Sequence, residues 1–269
     1  MQVVLLAGGK GTRLTEETDR VPKPMVEIGN RPIIWHIMKG YAHYGFSEFI
    51  ICCGYKGEVI KNYFTNYCTY ANDITVSTLT HAPCIIPRED YRDDWTITMV
   101  DTGEATQTTD RIIAVEKYLG KEPFMVTYAD GVGDVNIPKL LDVHYHSQKM
   151  VTLTAVQPSG KFGVLHLNNN DTITEFNEKP KGDTWVNAGF MVMEHEAIDI
   201  MKRHCNTMLE QGPLVELTHR GKLGAYRHTG FWKCMDTLRD RIELEEIWSA
   251  GNAPWRIWDG QIHNANLCV

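Results

Sequence analysis

Apolar runs of strand length alternate, through the first half of the chain, with segments whose apolar residues recur at helical spacing. The runs that predict buried strands are residues 3–8, 48–54, 96–103 and 123–131. The segments that predict helices are residues 31–45, 58–67, 110–120 and 137–148. This strand–helix alternation predicts a mostly parallel sheet that is covered by helices on both faces.

The pattern changes in the second half of the chain. Residues 164–179 alternate apolar and polar positions around an Asn/Asp turn, which predicts a β-hairpin. Further strands are predicted at 186–193 and 224–232, and a helix at 237–251. Residues 79–94 are the longest irregular stretch and a candidate lid or subunit contact. We therefore predict one continuous α/β unit whose second half inserts small β elements.

Composition and charge argue against several classes of partner. The 269 residues are 43% hydrophobic and carry a net charge of −7, which argues against nonspecific nucleic-acid binding. No apolar run approaches the ~20 residues that span a bilayer, and the N-terminus has no signal-peptide pattern. The seven cysteines lack the spacing of zinc sites or disulfide frameworks. We expect a cytoplasmic protein without nucleic-acid or membrane partners.

The string LLAGGKGTRL, residues 5–14, places glycines between a strand and the start of a helix. Glycines in this position let backbone N–H groups surround phosphate oxygens. The loop does not match the Walker pattern, because it lacks the Gly-Lys-Ser/Thr ending. It does not match the Rossmann pattern either, because it lacks the third glycine at the required spacing. We expect a phosphate loop of another type, in which Thr12 adds a hydroxyl and Arg13 a fork-shaped donor. A plain turn with surface charges is the alternative.

Lys23 stands between Pro22 and Pro24. Proline restricts both its own backbone and that of the residue before it, so this lysine has a stiff, extended backbone. A cation displayed rigidly loses little entropy when an anion binds, whereas a solvated turn lysine is the commoner fate of this residue type. The lysine and the glycine loop together are far more specific than either alone.

The pattern LAGGKGTRL followed by PKPM resembles the sugar-phosphate nucleotidyltransferase family. The longer strings VDTGEATQT, YADGVGDVNI, FNEKPKGD and GFWKCMDTLRD resemble its glucose-1-phosphate cytidylyltransferases, and the likeness runs from residue 1 to about Trp258. The resemblance implies a three-layer α/β/α fold with a mostly parallel, mixed, Rossmann-like sheet in a single domain, 1–269. Its nucleotide-binding half would be about 1–149. Its sugar-binding half, with C-terminal oligomer or core elements, would be about 150–258.

The resemblance also implies a reaction and an assembly. Members transfer a cytidylyl group from CTP to α-D-glucose 1-phosphate, giving CDP-glucose and pyrophosphate for deoxysugar and surface polysaccharide synthesis, such as lipopolysaccharide, and they form homo-oligomers. The sugar phosphate is already an anionic nucleophile, so no general base is required. Positioning and charge compensation should carry the catalysis, which calls for cationic side chains, glycine N–H groups and a divalent metal.

Site residues follow from matching positions in the resembled family. Arg13 and Lys23 would act on the triphosphate, and Asp130 and Asp236 would bind Mg²⁺ through hard oxygen ligands. The nucleotide-binding set would be Leu6, Gly8, Gly9, Gly11, Thr12, Arg13, Lys23, Thr102, Gly103 and Arg111. The sugar-phosphate set would be Tyr128, Glu178, Lys179, Asn187 and Gly189. Outside the resemblance, Asp130 reads as a turn aspartate and Asp236 as a helix N-cap.

Five positions depart from the family pattern: Thr109, Asp110, Ala129, Ala188 and Gly212. They leave open another sugar 1-phosphate, or UTP or dTTP in place of CTP. A second alternative is a catalytically dead nucleotide-sugar sensor, which the presence of all four cationic and acidic site residues disfavours. A dinucleotide-binding oxidoreductase is disfavoured by the missing third glycine.

Overall fold

The structure is a computed structural model, and it describes residues 1–11, 14, 18, 21–79, 83–86, 93–158, 164–167, 173–177 and 184–261. Its strands are β1 (Val3–Leu6), β2 (Glu27–Ile28), β3 (Arg31–Pro32), β4 (Glu48–Cys53), β5 (Asp73–Val76), β6 (Pro83–Ile86), β7 (Thr96–Asp101), β8 (Phe124–Tyr128), β9 (Gly131–Gly133), β10 (Val151–Val156), β11 (Val164–Leu167), β12 (Ile173–Asn177), β13 (Val186–Asn187), β14 (Met191–Met193), β15 (Leu223–His228) and β16 (Trp232–Cys234). Its α-helices are α1 (Ile33–His43), α2 (Gly57–Thr65), α3 (Tyr67–Ala71), α4 (Thr108–Val115), α5 (Ile137–Ser147), α6 (Ala197–Met201), α7 (Pro213–His219) and α8 (Leu238–Ser249).

A mixed sheet forms the middle of the molecule. Strands β7, β4, β1 and β8 are parallel and adjacent in that order, with Leu5 of β1 between Ile51 and Thr127 of its neighbours. Strand β14 then pairs antiparallel with both β8 and β10, and β15 continues parallel to β10. The predicted mostly parallel, mixed sheet is therefore present.

Both faces of β1 are buried, because none of its residues is exposed. Val3 and Leu5 belong to a core cluster with residues of α1 and α8 on one face. Val4 and Leu6 belong to a second cluster with residues of α4 and α6 on the other face. These two apolar layers explain why the strands of the first half appear as continuous apolar runs in the sequence.

The second half departs from its predicted elements in several places. The hairpin predicted at 164–179 is present as β11 and β12, but the strand predicted at 186–193 is broken into β13 and β14. The strand predicted at 224–232 ends at His228, and Trp232 begins a separate strand that pairs with β9. Strand β10 and the short helices α6 and α7 have no counterpart among the sequence predictions.

The stretch predicted as irregular, 79–94, contains a strand. Strand β6 lies inside it and pairs antiparallel with β5, Thr75 opposite Cys84. Residues 80–82 and 87–92 lie outside the described residues. The prediction missed β6 because PCII is too short to show a period, and pairing with β5 fixes its conformation.

Candidate active site

A cavity of about 460 Å³ opens where β1 and β8 end and the turn after β16 begins. Parallel strands direct their carboxyl ends to one edge of a sheet, so the loops that follow them line a common cleft. The residues predicted for the site that line this cavity are Leu6, Gly8, Gly9, Gly11, Lys23, Arg111, Tyr128, Asp130 and Asp236. The structure therefore brings predicted residues from two distant parts of the chain to one cavity.

The glycine loop is shaped by what lies behind it. A Cβ added to Gly8 would lie 2.1 Å from Nη1 of Arg111, so any side chain at this position would have to displace the guanidinium. Gly11 has a φ of 62°, and a Cβ there would lie 2.9 Å from Cγ2 of Thr18 and 3.1 Å from Cβ of Lys23. Gly9 has open space around it. Two of the three glycines are thus required by close packing.

Arg111 lies beneath the glycine loop with its guanidinium fully engaged. Its Nη2 donates to the carbonyl of Gly8 at 3.0 Å, and its Nη1 donates to Oγ1 of Thr102 at 2.6 Å and to the carbonyl of Gly103 at 2.8 Å. The same group reaches the carbonyl of Cys53 at 3.3 Å. Thr102 and Gly103, predicted to contact nucleotide, here hold Arg111. This arginine ties together the loops that follow β1, β4 and β7.

Lys23 bridges two carboxylates in the cleft. The predicted extended backbone at Lys23 is wrong, because Lys23 begins a 3-10 turn, Lys23–Met25, and only Pro22 before it is extended. The Nζ of Lys23 lies 2.7 Å from Oδ2 of Asp130 and 2.7 Å from Oδ1 of Asp236. Burial lowers the pKa of Lys23, but Asp130 and Asp236 raise it by more, so the net pKa is about 12. Lys23 is therefore charged across the physiological range.

Asp130 and Asp236 meet because β9 and β16 pair. Cys234 lies opposite Gly131 in this pair, and the N–H of Met235 donates to the carbonyl of Asp130 at 2.9 Å. The reading of Asp236 as the N-cap of α8 is wrong. Thr237 is the cap, because its Oγ1 accepts the N–H of Asp240 in a capping box. The carboxylate of Asp236 turns toward Lys23 instead.

The donor set in the cleft fits a divalent cation. Asp130, Cys234 and Asp236 each offer a ligand atom, and the three atoms lie within 4.8 Å of one another. Two carboxylates are the hard oxygen ligands that Mg²⁺ prefers. Burial raises the pKa of the Cys234 thiol, Asp130 and Asp236 raise it further, and Lys23 opposes them. Sequence analysis missed Cys234, although its place two residues before Asp236 was available as a sign.

Tyr128, Asn187 and Gly189 come together beside Asp130. The hydroxyl of Tyr128 hydrogen-bonds the carboxylate of Glu210, and Asn187 accepts the N–H of Gly189 at 3.0 Å. Burial raises the pKa of Tyr128, and the Glu210 carboxylate raises it further. Sequence analysis missed Glu210, which lies 82 positions from Tyr128. Thr12, Arg13, Glu178 and Lys179 lie outside the described residues.

The departures from the family pattern have local roles. Asp110 accepts the N–H of Asn206 at 2.7 Å, and Thr109 is fully buried in α4. Ala129 is buried, and the carbonyl of Ala188 accepts Nε1 of Trp232 at 3.1 Å. Gly212 precedes α7, where a Cβ would lie 2.6 Å from Oγ1 of Thr207. Of these five positions, only Ala129 lines the cavity.

Comparison with known proteins assigns the family. A family model described as nucleotidyl transferase matches residues 2–232. This chain belongs to the nucleotidyl transferase family. A glucose-1-phosphate cytidylyltransferase from Salmonella typhimurium is 46% identical to this nucleotidyltransferase over 261 residues, which cover 96% of the chain and 100% of the relative. The predicted family and enzyme class are confirmed, and the relative's name agrees with the predicted cytidylyl transfer.

Solved structures share the fold of this nucleotidyltransferase. HddC from Yersinia pseudotuberculosis superposes with a TM-score of 0.66 at 20% identity, covering 92% of this chain and 99% of that one. UDP-glucose pyrophosphorylase complexed with UDP-glucose superposes with a TM-score of 0.65 at 18% identity, covering 93% of this chain and 98% of that one. The predicted Rossmann-like nucleotidyltransferase fold is therefore confirmed.

Proposed function

We propose that the enzyme transfers the cytidylyl group of CTP to glucose 1-phosphate, releasing pyrophosphate and forming CDP-glucose. The observation that carries this proposal is the position of Lys23, whose Nζ lies 2.7 Å from both Asp130 and Asp236 in the cavity behind the glycine loop. The name of the Salmonella typhimurium relative supports the choice of substrates.

The glycine loop is proposed to hold the triphosphate. Backbone N–H groups at Gly8, Gly9 and Gly11 offer donors without side chains that would block the phosphate. Lys23 would neutralise charge on the phosphoryl group that is transferred, and Arg13 would add a second cation there. Thr106 and Gln107 also line the cavity and offer uncharged groups to the ribose and base.

Asp130 and Asp236 are proposed to hold Mg²⁺. The ion would neutralise charge on the triphosphate and on the leaving pyrophosphate. Lys23 already neutralises part of the charge of the acidic pair, so the remaining negative charge is reduced before substrate arrives. With the carboxylates holding a cation, the Lys23 ammonium would be free to contact phosphate oxygens.

The sugar phosphate is proposed to bind to Tyr128, Asn187, Gly189, Glu178 and Lys179. A carboxylate accepts sugar hydroxyls, and a lysine compensates the charge of the sugar's phosphate. The phosphate oxygen of the sugar is ionised at neutral pH and needs no proton removal before it attacks. Correct placement of two anions is therefore the main task of the site.

The assembly and location are proposals of the same kind. We propose a homo-oligomer that uses the exposed apolar residues Val76, Leu79 and Ile86 near β5 and β6. A cytoplasmic location fits the described cysteines, which are all unpaired. The division into a nucleotide half, 1–149, and a sugar half, 150–258, stays part of this proposal. None of the helices in the described ranges has the length and apolar character that crossing a membrane requires.

The test is a matrix of nucleoside triphosphates against sugar 1-phosphates, with pyrophosphate release as the readout. CTP with glucose 1-phosphate should give the highest kcat/KM in the presence of Mg²⁺. If UTP or dTTP matches CTP, the cytidylyl assignment fails. If another sugar 1-phosphate exceeds glucose 1-phosphate, the sugar assignment fails.

A substitution in the active site distinguishes an enzyme from a protein that only binds nucleotide. Asp130→Asn removes one proposed cation ligand while it keeps the shape of the side chain. It should reduce turnover at least about 100-fold, as loss of a group that stabilises transition-state charge does. Unchanged turnover in a folded Asp130→Asn variant would remove Asp130 from the proposed cation site.

A further inference from the structure

Cys234 lies inside the acidic cluster that the proposed function assigns to the cation. Its ligand atom and those of Asp130 and Asp236 lie within 4.8 Å of one another. Strand β16 explains this direction, because alternate side chains of a strand point to opposite faces. Lys233 bonds Glu243 of α8, which leaves Cys234 on the side of Asp130.

We infer that Cys234 is a third ligand of the cation site, so that the enzyme binds thiophilic divalent ions such as Zn²⁺ and Co²⁺ in place of Mg²⁺. The inference rests on the proposed cation site at Asp130 and Asp236. Thiolate sulfur prefers Zn²⁺ and Co²⁺, whereas carboxylate oxygen suits Mg²⁺. A site with one sulfur and two carboxylates therefore discriminates among metals in a way that two carboxylates alone do not.

The geometry needs only a small adjustment. A tetrahedral ion with bonds of about 2.0–2.3 Å separates its ligands by roughly 3.6 Å. The observed separations, within 4.8 Å, close to that value by rotation of side chains that are not fully buried. Coordination would release the thiol proton to solvent, because the thiolate is the form that binds metal. Lys23 would leave the space between the carboxylates as the ion enters.

The test uses Co²⁺, whose bond to sulfur gives a charge-transfer absorption that bonds to oxygen and nitrogen do not. The parent would be the full chain with its exposed and tail cysteines replaced by serine, namely Cys68, Cys84, Cys205 and Cys268. Adding Co²⁺ to this parent should produce the sulfur band, and Cys234→Ser should abolish it. The matched control is Cys53→Ala, which removes a thiol buried in the core and should keep the band.

A second measurement compares the affinities of the site for Zn²⁺ and Mg²⁺. In equilibrium dialysis, Cys234→Ser should weaken Zn²⁺ binding at least about 10-fold, since even residues that only support a ligand change affinity by about 10–100-fold. Mg²⁺ affinity should change far less, because Mg²⁺ gains little from sulfur. Zn²⁺ binding to the parent should also release about one more proton than binding to the variant.

The results separate this inference from the proposed function. An unchanged sulfur band in a folded Cys234→Ser variant, or an equal loss of Zn²⁺ and Mg²⁺ affinity, would overturn the inference. If serine disturbs folding, Cys234→Ala with the same dialysis replaces it. Failure of the parent to release pyrophosphate from CTP and glucose 1-phosphate with Mg²⁺ would overturn the proposed function, whatever the Co²⁺ spectrum.

Discussion

The ammonium of Lys23 lies where two acidic side chains would otherwise repel each other. Asp130 and Asp236 come from positions 107 and 213 residues away, and both accept a hydrogen bond from Nζ. The side chain of Lys23 is only 11% exposed, so water screens these contacts weakly. A single residue thus stabilises the site before substrate binds and supplies a cation for the proposed reaction.

Lys23→Met should lower kcat about 10²–10³-fold, because it removes charge stabilisation from the transition state. It should also lower the free energy of unfolding by about 2 kcal/mol near neutral pH, as expected for a pKa raised from 10.5 to about 12. A raised lysine pKa contributes stability that is complete below 10.5 and is lost as the pH rises to about 12. The difference between wild type and variant should therefore shrink across that window.

Urea unfolding at several pH values measures this effect. Lys202→Met is the matched control, because Lys202 makes an exposed ion pair with Glu116 and its loss should change stability far less than the loss of Lys23. A difference for Lys23→Met that grows between pH 10.5 and 12 would contradict the proposed coupling to the two carboxylates.

The close contact between Gly8 and Arg111 is a second feature at the scale of single residues. Gly8→Ala places a Cβ 2.1 Å from the guanidinium and should destabilise the protein by about 1–3 kcal/mol through forced displacement of Arg111. Gly9→Ala is the matched control for stability, because nothing lies within 4 Å of the added Cβ. Thermal or urea unfolding measures both. Equal losses from the two substitutions would show that Arg111 yields without cost.

At the scale of elements, the break between β13 and β14 shapes the proposed sugar side. Residues 186–187 and 191–193 pair with opposite ends of β10, and between them Gly189 has a φ of 76° and Phe190 a φ of 43°. A Cβ on Gly189 would lie 3.0 Å from Cδ2 of Tyr128. The sequence predicted one strand here because apolar residues lie on both sides of the break, and Gly189 was the sign in the sequence that the strand is interrupted.

Gly189→Ala should combine backbone strain with contact against Tyr128. Gly221→Ala is the matched control, because Gly221 has a similar φ of 64° but no atom within 4 Å of an added Cβ. The control should lose about 1–2 kcal/mol of stability from the left-handed conformation alone. Gly189→Ala should lose more, and only this variant should raise KM for glucose 1-phosphate. Steady-state kinetics with unchanged glucose 1-phosphate KM would detach Gly189 from the sugar side.

At the scale of the whole molecule, the sheet order brings the site together. Loops after β1 and β8 are neighbours because these strands pair directly, and the β9–β16 pair carries Asp236 to the same edge. The site is held by hydrogen bonds and ion pairs among protein groups, including Lys23 with both carboxylates. We therefore expect the acidic residues to stay in place without a bound cation.

Chelation of divalent metal should stop turnover while leaving the fold intact. EDTA-treated enzyme should show the same melting curve as untreated enzyme without substrate, because Lys23 compensates the carboxylates. Adding CTP at about 100 times its Kd should stabilise the protein by about 2.7 kcal/mol with Mg²⁺, and by less after chelation. Differential scanning calorimetry measures both. Unfolding on chelation alone would mean that the metal is structural.

The sequence by itself determined the features that depend on near neighbours. Strand–helix alternation is set by the period of apolar residues, and the structure has it. The extended backbone predicted at Lys23 is wrong, because Lys23 begins a 3-10 turn. Candidate site residues could be named from the sequence because they follow the ends of predicted strands. Parallel strands generally bring those ends to one edge of the sheet.

Only the tertiary structure decided which side chains meet across the chain. Arg111 lies under Gly8 from 103 positions away, and Thr237 rather than Asp236 caps α8 because Asp236 is drawn to Lys23. Cys234 joined the cluster because β16 pairs with β9 in a register that no local pattern specifies. Local preferences act over about one helical turn, whereas strand pairing and its register depend on the packing of the whole core.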